Sequence, residues 1–301
     1  MPEALVFPIL GRSFRAQAAD GPLMDWLLEH WCFEEHDAAA HPFRIVLERI
    51  PPPGKLEGEP VSARLPDVTL PALRVGSASW VLGDRRAGVR LVLEACSAGI
   101  ELWQDPPDRL PHAALFLALS ESLRWSGLLP LHASIASSRS NVTAFLGARG
   151  AGKSTTLLQA VRVGCRPIAE DFAWLDPETL SVYGWDRGVH LHPESLDGPA
   201  REFASLGWGP AVDGKLFLPF DRLGTTVRQG TLTRLVALEP AYDAASRWEP
   251  LPPREAVRAL WESLGVPLSD LSRDAAAARI PEILTRLATA RLLLGRNPLP
   301  L

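Results

Sequence analysis

A chain of 301 residues, 47% of them apolar, can fill one large core or two ordinary ones without disulfide or metal staples. The formal net charge is −4 and the Lys and Arg residues are dispersed, which excludes the electrostatic footprint of a nucleic-acid or anionic-membrane binder. Cys32, Cys96 and Cys165 are odd in number and far apart, Glu3 and no basic stretch lie near the N-terminus, and no apolar run reaches about 18 residues; together these predict a reduced, cytoplasmic protein without signal peptide or membrane span.

Leu23 to Glu35 reads as a short helix, apolar over much of its circumference. Phe43 to Ile50 alternates like a half-buried strand, and Pro51-Pro52-Pro53-Gly54 ends it because proline cannot donate to a ladder. Leu73 to Val75, Ala78 to Leu82, Val89 to Glu94 and Gly99 to Trp103 are further strands, with turns at Gly83-Asp84 and Ser97-Ala98-Gly99. This first third predicts a smaller, mainly antiparallel, meandering β domain.

Asp105-Pro106-Pro107-Asp108 marks the boundary, giving domains 1–108 and 109–301. A helix from Leu110 to Trp125 opens the second part, which reads as mixed α/β. Strands Leu131 to Ala136 and Val142 to Leu146 flank a turn at Ser137 to Asn141, and a glycine loop and a helix from Lys153 to Val163 follow. Ala169 to Leu175 and Leu180 to Gly184 form a hairpin around Asp176-Pro177-Glu178-Thr179, where Pro177 presets φ. Leu232 to Leu238 is another strand. Pro253 to Leu264 and Pro281 to Leu294 read as helices, the latter from Ile283, Leu284, Leu287 and Arg291 at helical spacing.

The strongest chemical signal is Gly147-Ala148-Arg149-Gly150-Ala151-Gly152-Lys153-Ser154-Thr155, which satisfies G-x-x-x-x-G-K-[ST] between a predicted strand and a predicted helix. Its glycines let the backbone curl so that successive N–H groups face a phosphate chain, and the helix N-terminus adds partial positive charge. Lys153 reaches β- and γ-phosphates and Ser154 ligates magnesium in such a loop, so the motif implies ATP and Mg2+ as cofactors; it reads phosphates and not the base, which leaves GTP open. The nearest acidic pair, Glu170-Asp171, follows shortly after the lysine and opens an apparent hairpin. An ordinary P-loop ATPase carries its metal-orienting Asp at the end of a distant parallel strand, so the pair favours another P-loop architecture.

At these residues the chain resembles the HPr kinase/phosphorylase-like family, whose fold is related to that of phosphoenolpyruvate carboxykinase. The resemblance rests on Leu131-His132-Ala133, Gly147 to Thr155, Glu170-Asp171 after Gly164, the stretch Trp185 to Pro193, and Asp213-Gly214-Lys215, and spans about residues 110 to 301. It implies Glu170 as base, Asp171 as metal ligand beside Ser154, His132 as a helper that holds the base's charge state, and Arg187 and Lys215 as clamps on phosphate oxygens. The family usually carries two aspartates where this chain has Glu170 and Asp171, and the glycine-rich segment that couples kinase to phosphorylase action has no match here. From the residues alone, Glu170, Asp171 and His132 all stay open as the base. Neighbouring carboxylates on a strand point to opposite faces, so both serve one site only where the backbone bends.

His190, His192 and Glu194 alternate, which on a strand gives one face that lines a phosphate or metal site or is a polar surface. His30, Cys32, His36 and His41 match no zinc spacing, and Trp26, Trp31, Trp80, Trp103 and Trp125 fall in core-forming segments. The expectation is an ATP-dependent kinase acting on a serine-type hydroxyl of a peptide or small protein, with the β domain recognising the acceptor. Relatives within the resembled family that phosphorylate lasso-type peptides at a terminal serine make a peptide-tailoring kinase a concrete candidate. The alternatives are a small-molecule kinase, a nucleotide-binding regulatory module without transfer activity, and a hydrolysing ATPase. Nucleic acid and membrane are excluded as partners, and a homo-oligomer is left open.

Overall fold

The structure, a computed structural model, describes residues 5–17, 23, 40–65, 68–105, 110–139, 141–198, 200–211, 214–224, 227–241 and 245–295. The helix expected from Leu23 to Glu35, Leu23 apart, and the His30, Cys32 and His36 cluster lie outside the described residues. The protein is mixed α/β, with two large sheets, a small three-stranded one and five α-helices among the described residues. It divides into two units: the described residues up to Leu128 with Val266–Ala275, and Leu129–Gly265 with the described residues from Ala276 on.

The first unit is built on an eight-stranded sheet. In chain order its strands are β1 (Leu5–Ile9), β2 (Arg12–Gln17), β3 (His41–Arg49), β4 (Glu59–Leu65), β5 (Val68–Gly76), β6 (Ser79–Gly83), β7 (Ala87–Glu94) and β8 (Ser97–Gln104), and in space they lie β1-β2-β3-β8-β7-β6-β5-β4. From β5 to β8 the short turns force an antiparallel meander, as the sequence predicts, and β4 pairs antiparallel with β5. The pairs β2–β3 and β3–β8 are parallel and the other five pairs of this sheet antiparallel, which agrees with the mainly antiparallel domain expected. Parallel neighbours need a connection of about a dozen residues or more, and the chain between Gln17 and His41 supplies that length. Strands β1, β2 and β4 escape sequence reading because prolines interrupt β1 and β4 and because β2 turns only Phe14 and Ala16 inward among apolar residues. Pro60 is tolerated because β4 is an edge strand. Helix α1 (His112–Trp125) packs on β7 and β8 and buries Leu115, Leu119 and Leu123. Trp80 and Trp103 are buried as packing residues, the latter donating its indole N–H to the Asp84 carbonyl at 2.8 Å.

The second unit centres on one long strand. Its elements are β9 (Leu129–His132), β10 (Ser134–Ser138), β11 (Asn141–Leu146), α2 (Lys153–Arg162), β12 (Arg166–Ala169), β13 (Phe172–Leu175), β14 (Ser181–Gly184), β15 (Gly188–Leu191), α3 (Pro193–Leu196), β16 (Gly209–Pro210), β17 (Leu216–Pro219), β18 (Gln229–Pro240), β19 (Arg247–Pro250), α4 (Pro253–Ser263), α5 (Asp270–Thr285, counted here from Ala276) and β20 (Ala288–Leu294). The nine-stranded sheet runs β12-β10-β11-β18-β14-β13-β9, with β20 beside β18 and β19 beside β20. Along β11, Ala144 and Leu146 face one side and Phe145 the other, as the two-residue period of a strand requires. Phe145, Val236, Leu238 and Leu292 pack with Leu157 and Leu158 of α2, whereas Ala144, Leu146 and Leu235 join Leu260 of α4 and Ile280 and Ile283 of α5 in a second core.

The helix expected over Pro281 to Leu294 is corrected: α5 begins much earlier, and Ala288–Leu294 is a strand that pairs with both β18 and β19. The true start is capped by Ser269, whose hydroxyl oxygen accepts the N–H groups of Leu271 at 3.2 Å and Ser272 at 3.4 Å. A strand paired on both sides need not alternate, so the run Leu292–Leu294 carries no period that separates it from a helix. Among the described residues, no helix is long and apolar enough to cross a membrane.

Candidate functional site

The glycine loop joins β11 to α2, and its glycines are demanded by geometry. Gly150 and Gly152 adopt φ of 80° and 93°, in the left-handed region, and a Cβ on Gly147 would lie 2.8 Å from the Ala151 Cβ and 3.2 Å from the Leu238 carbonyl oxygen. Helix α2 starts with Gly152 as its cap and no side-chain cap bond, so its first-turn N–H groups face the loop without a competing side chain. The Lys153 ammonium donates to the carbonyls of Gly147 at 2.9 Å and Ala148 at 3.4 Å, placing the charge over the first residues of the loop. Burial pulls the Lys153 pKa below its ordinary value; Asp171 and Glu170 oppose that, and Lys215 reinforces it.

The single strand predicted over Leu131 to Ala136 is two strands, β9 and β10, and the first arm of the predicted hairpin is likewise β12 and β13. Both interruptions fall at the same rung. Ile135 pairs with Ala169 and His132 with Phe172, one antiparallel register continued across a gap occupied by Ala133-Ser134 on one side and Glu170-Asp171 on the other. In that gap the Ala133 N–H donates to the Asp171 carbonyl at 3.1 Å and the Ser134 hydroxyl to the Glu170 carbonyl at 2.5 Å.

The N–H groups of Glu170, Asp171 and Phe172 all donate to one oxygen of Asp186, each at 2.8 Å. This aspartate makes the bend that the sequence requires if both carboxylates are to serve one site. Loss of water, then the charges of Glu170 and Asp171, push its carboxyl up to about 7, and the donated N–H groups only partly offset that. The Arg228 guanidinium holds the Asp186 carbonyl, and Trp185 stacks edge-on against Trp174 with ring centres 5.8 Å apart. Sequence reading missed Asp186 as a functional residue. Its only signal is an acidic residue directly after a buried strand, within the stretch Trp185 to Pro193 that supports the family resemblance.

The bend sends the two carboxylates to different partners. Glu170 is 5% exposed, and its Oε1 accepts the hydroxyl hydrogen of Ser154, while Oε2 lies 3.6 Å from His190 Nδ1. Asp171 faces outward, its Oδ1 2.7 Å from His132 Nε2. Burial works to raise the Asp171 pKa, but the His132 hydrogen bond and the charges of His132, Lys153 and Lys215 outweigh it and hold the carboxyl below its ordinary value. The resemblance gives Glu170 to the acceptor and Asp171 to the metal. The geometry sets Glu170 beside Ser154 and Asp171 beside His132.

Lys215 acts electrostatically on both Lys153 and Asp171, so it belongs to this site, whereas Asp213 lies outside the described residues. Arg187 is exposed, next to Asp186 in sequence, and its carbonyl accepts the Phe220 N–H at 3.0 Å. His190, His192 and Glu194 do not share one strand face: β15 ends at Leu191, His192 caps the short helix α3, and Glu194 lies within it. His190 alone reaches the carboxylates, with its ring 4.9 Å from that of Phe217.

Among the described residues, no group of three or more His, Cys, Asp or Glu side chains is arranged to hold a metal by itself. Magnesium asks for less. It keeps several waters and takes one or two protein oxygens beside those of substrate phosphates, and adjacent Ser154 Oγ and Glu170 Oε1 form a hard-oxygen pair that fits it. In comparisons with known proteins, no family model matches the chain, and no curated protein matches it.

Proposed function

We propose that the protein is a cytoplasmic ATP-dependent kinase with an HPr kinase-like P-loop architecture, transferring the γ-phosphoryl group to a serine-type hydroxyl of a peptide or small protein. The observation that carries this reading is the split pair: beside a loop of phosphate-binding sequence, one carboxylate adjoins the loop serine and the next adjoins a histidine. A simple binding module has no need of two carboxylates held apart by a third.

Mg-ATP, when bound, supplies a phosphoryl group with ADP as its leaving group. The loop N–H groups and the α2 N-terminus bind the phosphate chain, and Lys153 moves from the Gly147 and Ala148 carbonyls to phosphate oxygens. Ser154 and Glu170 hold the metal side. Asp171, kept ionised by His132, orients the acceptor hydroxyl and accepts its proton as the new O–P bond forms. Lys215 and Arg187 complete the cationic surround, and His190 steadies Glu170. This reading exchanges the roles that the resemblance assigns to Glu170 and Asp171, because the motif makes Ser154 a magnesium ligand and Glu170 is its neighbour.

The deciding experiment follows labelled γ-phosphate from Mg-ATP into a panel of serine peptides, with wild type beside Lys153→Ala and Asp171→Asn. Label on a peptide hydroxyl, lost in both variants, is the expected result. Tight nucleotide binding without transfer to any acceptor would replace the kinase by a regulatory nucleotide-binding module.

A further inference from the structure

A cavity of about 400 Å³ opens beside the glycine loop and is lined by His132, Gly147, Ala148 and Arg149. Its position relative to a phosphate chain follows from Lys153. In loops of this sequence the lysine reaches the β- and γ-phosphates, and here its ammonium lies against the carbonyls of Gly147 and Ala148. The terminal phosphate therefore belongs at the cavity end of the loop, and the base beyond the opposite end. His132 lines the cavity and its Nε2 lies 2.7 Å from Asp171 Oδ1, so a hydroxyl entering there would approach the proposed proton acceptor and the phosphoryl group together.

The remaining walls describe what can enter. Leu146, Ala237, Leu238, Leu251 and Ala259 give an apolar floor. Above it Arg291, only 19% exposed, lies between three carboxylates: Glu239 at 3.6 Å, Glu249 at 3.9 Å, and Glu255 in a closer ion pair. Glu249 does not line the cavity and is held more closely by Arg247 at 2.9 Å, so on the wall itself Glu239 and Glu255 face the one guanidinium of Arg291 and leave a single net negative charge. Arg258 of α4, also in the lining, is committed to Glu262 at 2.7 Å. Arg149 belongs to the loop, where phosphates bring the opposite charge. A volume of this size takes a short segment or a small compound and not a folded domain.

We propose that this cavity is the acceptor site and that it selects a serine-type hydroxyl carried beside a cationic group, the lysine, arginine or terminal amine of a short peptide segment. The assignment rests on the kinase reading and names its substrate class. The hydroxyl points to His132 and Asp171, the aliphatic stem lies on the floor, and the cation enters the field of Glu239 and Glu255.

The test measures binding by calorimetry and phosphoryl transfer in parallel, on the full chain with Mg2+ and ATP analogue or ATP. The probes are short serine peptides with lysine, alanine or glutamate flanks, with ethanolamine as the small-compound arm. The lysine-flanked peptide is expected to bind at least about tenfold more tightly than the glutamate-flanked one, with a preference that shrinks toward unity in the Glu239→Gln, Glu255→Gln double variant and at high salt. Equal binding of the two peptides, or a preference untouched by the double variant, overturns the assignment while transfer to either peptide keeps the kinase standing. A variant-sensitive preference without any transfer does the reverse, and ethanolamine binding more tightly than every peptide overturns the peptide as the source of the cation.

Discussion

Each unit buries charge, and the two do so differently. In the first unit, Arg12 sends its guanidinium to the Leu10 carbonyl at 2.6 Å and to the Ser126 hydroxyl and carbonyl at 3.0 and 3.2 Å. Fully buried Glu121 accepts the N–H groups of Leu268 and Ser269 and lies 3.6 Å from Arg124. Both charges are fastened to main-chain groups distant in sequence, and both serve to hold segments together. In the second unit, Lys153 and Glu170 converge on one loop, and each has a partner that the proposed Mg-ATP would replace: loop carbonyls for the lysine, a serine hydroxyl for the glutamate. Burial alone therefore does not distinguish a structural charge from a chemical one. What a charge touches, and whether that partner can be exchanged, does.

The comparison breaks most visibly at Lys153. Replacing it with alanine is expected to cut phosphoryl transfer about a thousandfold or more while the unfolding temperature stays near that of wild type, read by a transfer assay and thermal melts. A collapse of the fold instead would place Lys153 with Arg12. Next, Asp171→Asn is expected to lower kcat by about a hundredfold or more with nucleotide binding kept, whereas Glu170→Gln raises the magnesium concentration needed for half-maximal rate by about tenfold. Steady-state kinetics over a magnesium series separates these, and the opposite pattern would restore the roles implied by the family resemblance.

Glu121→Ala sharpens the contrast from the other side. It leaves buried N–H groups and Arg124 without their carboxylate, and a loss of about 3–5 kcal/mol of stability is expected in denaturant titrations, with nucleotide affinity unchanged in whatever fraction remains folded. The smallest effect concerns pH. The Asp186 carboxyl, at about 7 in the folded chain, lies above its ordinary value near 4, so between these limits the folded state holds a proton that the unfolded state releases. Stability contributed by this group is accordingly present at about pH 4 and lost as pH rises toward 7. Melting temperatures of metal-free protein across that window should fall less steeply in Asp186→Asn than in wild type.

The loop and the carboxylates were legible in the sequence because their chemistry is local: glycines at left-handed positions, a lysine and serine at the helix start, two acids in a row. The meander from β5 to β8 was legible for a similar reason, since short turns fix antiparallel neighbours. What escaped reading depends on distant partners. Leu292–Leu294 became strand because β18 and β19 lie on either side, and Ala169 to Leu175 broke in two because Asp186 takes N–H groups that an uninterrupted ladder would have used. Asp105-Pro106-Pro107-Asp108 reads as a break, yet the helix beyond it joins the sheet before it, as the apolar face formed by Leu115, Leu119 and Leu123 dictates.

Asp186 also says what a builder would need in order to install this chemistry elsewhere. The transferable part is an antiparallel pair interrupted at one shared rung, plus a single aspartate from a third segment whose oxygen gathers the orphaned amides of the interruption. Glutamate there would overshoot by a methylene, and alanine would let the ladder close and return both acids to opposite faces of an ordinary strand. The glycine loop can be copied by sequence. The split acids must be copied as a backbone shape.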